Sequence, residues 1–242
     1  MLAVLRVATL AAGALLPHVH VLVPSRHLRD VHALDSLWNA SDHAFGRVTL
    51  HFGVDWATDA GSVDADRLHA LAPASWRYVV HRVFDRMGDL SSVVNHMFAR
   101  INEPAYFFRY NDDTRMETAH WNRLCIEALR SGCDAGLARV HDANNARLQT
   151  HSFVSGYHKR VFGAYFPAHF HNWYEDDWIT AVYAAHTHNT TVRVRHAAAA
   201  ERYAIRRVPP EVFDVVVRED RIRLARALRE HTCAAAPATA AP

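Results

Sequence analysis

The sequence predicts an α/β protein with a mostly parallel central sheet flanked by helices. Strand-like and helix-like segments alternate four times before residue 111. The predicted strands are short apolar runs, as expected of strands buried on both faces. Composition is that of a globular chain: of 242 residues 50% are hydrophobic and 21% charged, with nine glycines and nine prolines, which excludes collagen-like and disordered classes.

In order, His18 to Val23 reads as a first strand and Leu28 to Trp38 as a helix. Gly46 to Phe52, Trp76 to Val83 and Ala105 to Tyr110 read as further strands, separated by helices at Asp64 to Leu71 and Asp89 to Ile101. Such β-α alternation builds a parallel sheet, and ligands then bind beyond the carboxyl ends of its strands. The second half is less regular: a helix at Trp121 to Ser131, strands at Leu137 to His141 and Leu148 to Val154, a helical turn at Lys159 to Phe162, and a strand then an Arg-rich helix within Glu211 to Glu230. Residues 18–232 are expected to form one domain. The apolar segment 1–17 falls short of the roughly 20 residues a spanning helix needs, leaving a core element, a signal or an anchor remnant as alternatives. The Ala/Pro tail 233–242 reads as disordered.

With 27 Lys and Arg against 25 Asp and Glu, the formal charge is +2, too small for the positive field that non-specific nucleic-acid binding needs. Three cysteines without C-x-x-C spacing suggest neither a disulfide framework nor a structural zinc site. Nineteen histidines include the pairs His18/His20, His169/His171 and His186/His188. None has a third ligand at a recognisable spacing, so no zinc site is expected from them. P-loop, G-x-G-x-x-G and G-x-S-x-G patterns do not occur, which argues against those nucleotide sites and against a Ser152 or Ser155 hydrolase built on His158.

Two acidic clusters carry the chemistry. Asn111-Asp112-Asp113-Thr114-Arg115 follows the fourth predicted strand. Adjacent carboxylates repel, and a divalent cation such as Mg²⁺ with substrate phosphate oxygens is the economical compensation; a solvated turn with helix-capping Asp residues is the alternative. Glu175-Asp176-Asp177 stands between Trp173-Tyr174 and Trp178. Aromatic flanks imply partial burial, where unpaired charge is costly, although three acids also suit a helix N-terminus.

This order of landmarks resembles the GT-A glycosyltransferases. The D-x-D-type motif is matched by Asn111-Asp112-Asp113 and the x-E-D motif by Tyr174-Glu175-Asp176. A more specific likeness runs through Phe153-Val154, His158, Val161-Phe162-Gly163, Asn172-Trp173 and Asp176-Asp177-Trp178-Ile179, then His196, Arg202 and Tyr203. The resemblance implies a Rossmann-like nucleotide-binding half plus an acceptor half, a nucleotide-diphosphate sugar donor, and a glycan, protein or lipid acceptor. It implies Mn²⁺ or Mg²⁺ held by Asp113, with Asn111 and His196 as further ligands. Asp176 or Asp177 would be the base of an inverting reaction, with Glu175 beside them. Asp112, Arg115, Asp55, Ser25 and Arg26 would contact the donor. Asn111 departs from the usual Asp, which leaves Asp113 as the firmest ligand. A metal-dependent phosphohydrolase and a non-catalytic binding relative are the rival readings. The Golgi or ER lumen, or a membrane-associated location through the N-terminus, is favoured over the cytoplasm.

Overall fold

A computed structural model describes residues 16–25, 34–55, 78–83, 89–196 and 206–233. Its first strand, β1 (His18–Ser25), is paired in parallel with β2 (Arg47–Asp55) and with β4 (Tyr106–Arg109), and β2 is paired in parallel with β3 (Tyr78–Val83). The expected parallel half is therefore present. Beyond β4 the direction reverses: β8 (Ser152–Ser155) is antiparallel to β4, β6 (Leu137–Arg139) antiparallel to β8, and β9 (Thr187–His188) parallel to β6. The seven-stranded order is β3-β2-β1-β4-β8-β6-β9. A small second sheet, with β10 (Arg193–His196) between β5 (Thr114–Met116) and β7 (His141–Asp142), covers the loop after β4.

Strand alternation divides the core. Val19, Val21, Val23, Tyr106 and Phe108 pack on one side of the sheet with α1 (Asp35–Asn39) and α3 (Trp121–Ser131). Leu22 and Phe107 face the other side, against α2 (Leu90–Ala99), α4 (Gly156–Phe162), α5 (Glu175–Val182) and α6 (Pro210–Glu230). Each fully buried aromatic such as Phe107, Phe153 or Trp178 contributes about 1.5–3 kcal/mol from removing its surface from water. Contact between β2 and α2 is close enough that a Cβ at Gly53 would fall 2.4 Å from Val93 Cγ1.

Helix ends follow ordinary capping chemistry. The Asp89 carboxylate accepts from the Ser92 backbone N–H (2.9 Å) to start α2, and Ser155 does the same for Tyr157 (3.1 Å) at α4, each satisfying a donor with no partner inside the helix. Gly163, at φ +75°, closes α4 in the left-handed region, where glycine carries no Cβ penalty.

Two expectations are corrected. Glu211 to Glu230 lies wholly within one 21-residue helix, α6, and contains no strand. Its run Val215-Val216-Val217 has β-branched strand propensity, but Val216 and Val217 are buried and so lie on the packed helix face, and tertiary packing overrides propensity. Cys133 and Cys233 form a disulfide, with Cα atoms 5.1 Å apart, which ties the end of α6 to the turn after α3. Cys125 is the buried free thiol. The odd cysteine count concealed a pair 100 residues apart. The helix expected at Asp64 to Leu71, and the segments 1–15 and 234–242, lie outside the described residues.

A cross-link closing so long a loop restricts the unfolded chain strongly. Reduction, or Cys233→Ser, is expected to lower the unfolding free energy by about 2–4 kcal/mol. Guanidinium denaturation with and without reductant measures it, and the Ser variant should show no further loss when reductant is added.

Candidate functional site

The carboxyl end of β4 delivers Arg109 to a buried position, 6% exposed, where Nη1 donates to the Thr150 carbonyl at 2.6 Å and Nε has no hydrogen-bond partner. The next residue, Tyr110, is buried, and its hydroxyl donates to the Thr114 carbonyl (2.9 Å), which curls residues 111–113 into a tight loop before β5. In that loop Asp112 accepts a short hydrogen bond from the Ser25 hydroxyl at the carboxyl end of β1. Burial raises the Asp112 pKa and Asp113 adds to the rise, against the hydrogen bond from Ser25 and the charge of Arg109. Ser25 and Asp112, both expected near the donor, are thus in direct contact.

Asp113 points toward β10. Its Oδ1 lies 3.5 Å from His196 Nδ1, and His196 Nε2 lies 3.1 Å from Asp142 Oδ2 at the end of β7. Hydrogen bonding to Asp113 and then to Asp142 raises the His196 pKa to about 9, against desolvation. Burial alone would raise the Asp142 pKa, but hydrogen bonds from His196, from the Thr150 hydroxyl (2.7 Å) and from the Asn144 backbone N–H (2.8 Å) hold it well below the usual carboxylate range. His151 completes the group: it is fully buried, its ring is 5.3 Å from that of His196, and Nδ1 has no hydrogen-bond partner. Burial, then the charges of Arg109 and His196, keep it neutral, well below the ordinary histidine pKa.

Asp142, His151 and His196 offer ligand atoms that all lie within 4.8 Å of one another. With Asp113 beside them, the set is two carboxylates and two imidazoles, one of them with an orphaned ring nitrogen. Oxygen-rich donors with an imidazole fit a hard to borderline divalent ion. Asp142 and His151 were not singled out from the sequence, because neither sits in a local motif and only the β7-β10-β5 pairing brings them to Asp113.

The second acidic cluster opens α5. Tyr174, in the left-handed region at φ 77°, turns the chain so that residues 175–177 form the first helical turn, next to the helix dipole's positive end. Glu175 is buried, and its Oε1 accepts from the Ser91 hydroxyl (2.7 Å) on α2. It ties two helices together. Asp176 is half-buried; burial raises its pKa, Arg109 opposes that, and Asp177, Asp142 and His196 act on it as well. The charges of Arg109 and Asp176 therefore act on one another, as do those of Arg109 and Asp112. Arg109 is thus the charge that acts on both acidic clusters.

Other expected residues are placed differently. In β5 Thr114 and Met116 are buried, so alternation turns Arg115 to the exposed side, opposite Arg195 of β10. Asn111 is half-buried at the head of the loop. His158 bridges Tyr183 Oη (2.9 Å) and the Tyr165 carbonyl (3.0 Å) inside the core. Trp178 is fully buried and donates to Asp220 on α6 (3.0 Å), so it is a core residue. Asp55 closes β2; its side chain, Arg26, Arg202 and Tyr203 lie outside the described residues.

No protein-family model and no curated protein matches this chain. Solved structures do. The first 349 residues of S. aureus TarS, in complex with UDP-GlcNAc, superpose with a TM-score of 0.58 at 13% identity, over 85% of this chain and 66% of that one. The mannosyltransferase PcManGT from Pyrobaculum calidifontis, in complex with GDP-Man and Mn²⁺, superposes with a TM-score of 0.55 at 13% identity, over 91% of this chain and 76% of that one. This chain has a GT-A glycosyltransferase fold. It spans slightly less than two thirds of the TarS structure, and at this identity the likeness is one of fold.

The His196 shift has a stability consequence. A folded pKa of about 9 against an ordinary 6.5 means that stabilisation is complete below pH 6.5 and is lost as pH rises through 9. With metal removed by chelator, the protein should lose on the order of 2 kcal/mol more than His196→Gln between pH 6 and pH 10. Urea denaturation across that range measures the difference.

Proposed function

We propose that this chain is a metal-dependent, inverting glycosyltransferase that moves a sugar from a nucleotide diphosphate to an acceptor hydroxyl. The observation that carries the reading is the Asp113–His196–Asp142 group, two of whose charges, with that of Arg109, act on Asp176. Two neighbours of the same fold hold nucleotide sugars, and one also holds Mn²⁺.

Asp113 and His196 would hold the Mn²⁺ or Mg²⁺, with His151 and Asp142 behind them. Such an ion supplies Lewis-acid stabilisation of charge developing on the leaving diphosphate. Arg109, buried with an unpaired Nε, adds a fixed positive charge facing the same place, and preorganised charge of this kind costs no reorganisation during reaction. Ser25 and Asp112 are positioned at the carboxyl end of β1 for the nucleotide. Asp176 is the base that takes the acceptor proton. Burial raises its pKa, and the charges of Arg109 and His196 oppose that rise. Asp177 is held in reserve for that role. Glu175, bonded to Ser91, fixes the helix that presents Asp176.

The Cys133–Cys233 disulfide supports a lumenal or other oxidising compartment, where such bonds persist. No described helix is long and apolar enough to cross a membrane.

Isothermal calorimetry with Mn²⁺ and a panel of UDP- and GDP-sugars tests the assignment. Asp113→Ala should weaken metal-dependent donor binding at least about 100-fold. Asp176→Asn should retain donor binding but lower transfer by roughly 10²- to 10⁴-fold, the usual contribution of a placed base. No donor binding in the presence of metal overturns the proposal. Donor binding without transfer to any acceptor leaves a binding protein of this fold, and release of free phosphate from simple esters leaves a phosphohydrolase.

A further inference from the structure

At the other end of β1 a second group of metal-ligating side chains is assembled. His18 and His20, two residues apart on a strand, share one face, and the loop between α2 and β4 lays Glu103 across both. His18 Nδ1 lies 3.1 Å from Glu103 Oε2, and His20 Nε2 lies 3.1 Å from Glu103 Oε1. β1 is eight residues long, so this group sits about 23 Å along the strand from Ser25 and the donor-side loop.

The other ring nitrogens are already engaged. His18 Nε2 is 2.8 Å from the Thr49 hydroxyl, and His20 Nδ1 is 2.8 Å from His51 Nε2, both partners on β2. Metal-binding imidazoles are held in this way, one nitrogen fixed by a neighbour and the other presented to the ion. The rings are well buried, with side-chain exposures of 10% and 4%, while Glu103 at 45% leaves a route from solvent.

The contacts to Glu103 have the spacing of co-ligands rather than the direction of hydrogen bonds. Both presented nitrogens, although 3.1 Å from a carboxylate oxygen, are buried with no hydrogen-bond partner. Ligands bound tetrahedrally at 2.0–2.1 Å are separated by about 3.3 Å, with their lone pairs converging on the ion and not on one another. All three ligand atoms lie within 4.8 Å. Arg47, whose Nη2 is 3.7 Å from Glu103 Oε2, is half-exposed and can leave the carboxylate.

We propose that His18, His20 and Glu103 form a second metal site, for a borderline divalent ion of the Zn²⁺ type, that pins the start of β1 to the α2–β4 loop. Two imidazoles and one carboxylate suit such an ion and leave the remaining position to water. The proposal is independent of the glycosyltransferase reading.

The test uses Zn²⁺ and, for its visible absorption, Co²⁺, with the full chain carrying His196→Gln to weaken the other cluster. Zn²⁺ should bind at one equivalent and raise the melting temperature, and Co²⁺ should show a ligand-field band. Since loss of an outer-shell partner already costs 10- to 100-fold, His18→Gln and Glu103→Gln should each weaken binding at least about 100-fold and abolish the band. Glu103→Gln alters a half-exposed side chain, so it reads the site even if His18→Gln fails to fold. Equal Zn²⁺ affinity in Glu103→Gln and its parent, or no binding by the parent, overturns the proposal.

Discussion

A single buried guanidinium organises the site. Arg109 lies at the point where the parallel half of the sheet gives way to its antiparallel half, between β4 and β8. Its charge acts on Asp112, on Glu175 and Asp176, and on His151. Carboxylates buried together raise one another's pKa and would take up protons without compensation. A cation shared by both clusters opposes that rise in each of them. The cost of burying that cation is met in part by the Thr150 carbonyl and in part by the surrounding acids, so neither side is well placed without the other.

The small sheet provides the second constraint. β5, β7 and β10 are two to four residues each, too short to hold together by themselves, yet their register sets Asp142 and His196 beside Asp113. His196 between two carboxylates acts as a bracket across three strands. A divalent ion entering there would meet a frame already in place, with the imidazolium proton as its competitor.

The parallel half of the fold was legible because β1 and β4 are buried on both faces and β1 reads as an apolar run, and because Asp89 marks a helix start in the plain sequence. Trp121 to Ser131 was legible in full, since its apolar spacing is helical and its end is a glycine. The same logic failed at Val215-Val216-Val217, where a β-branched run sits on a packed helix. The pairing of His196 with Asp113 was foreshadowed by the family resemblance, which named both. Arg109 was hidden inside an aromatic strand, and Asp142 and His151 became neighbours of Asp113 only through long-range pairing. Glu103 was invisible beside His18 and His20 for the same reason: 83 residues separate it from His20, and only the β1–β4 pairing brings the loop before β4 to them.

A double-mutant cycle on Arg109→Met and Asp176→Asn, read by urea unfolding of the metal-free protein, tests the shared cation most directly. If the charge of Arg109 compensates Asp176, each single change leaves a buried charge less well compensated, and the double variant should recover at least about 1 kcal/mol of the summed losses, within the range found for coupled residues. Additive losses would mean that Arg109 and Asp176 act separately and would contradict the account.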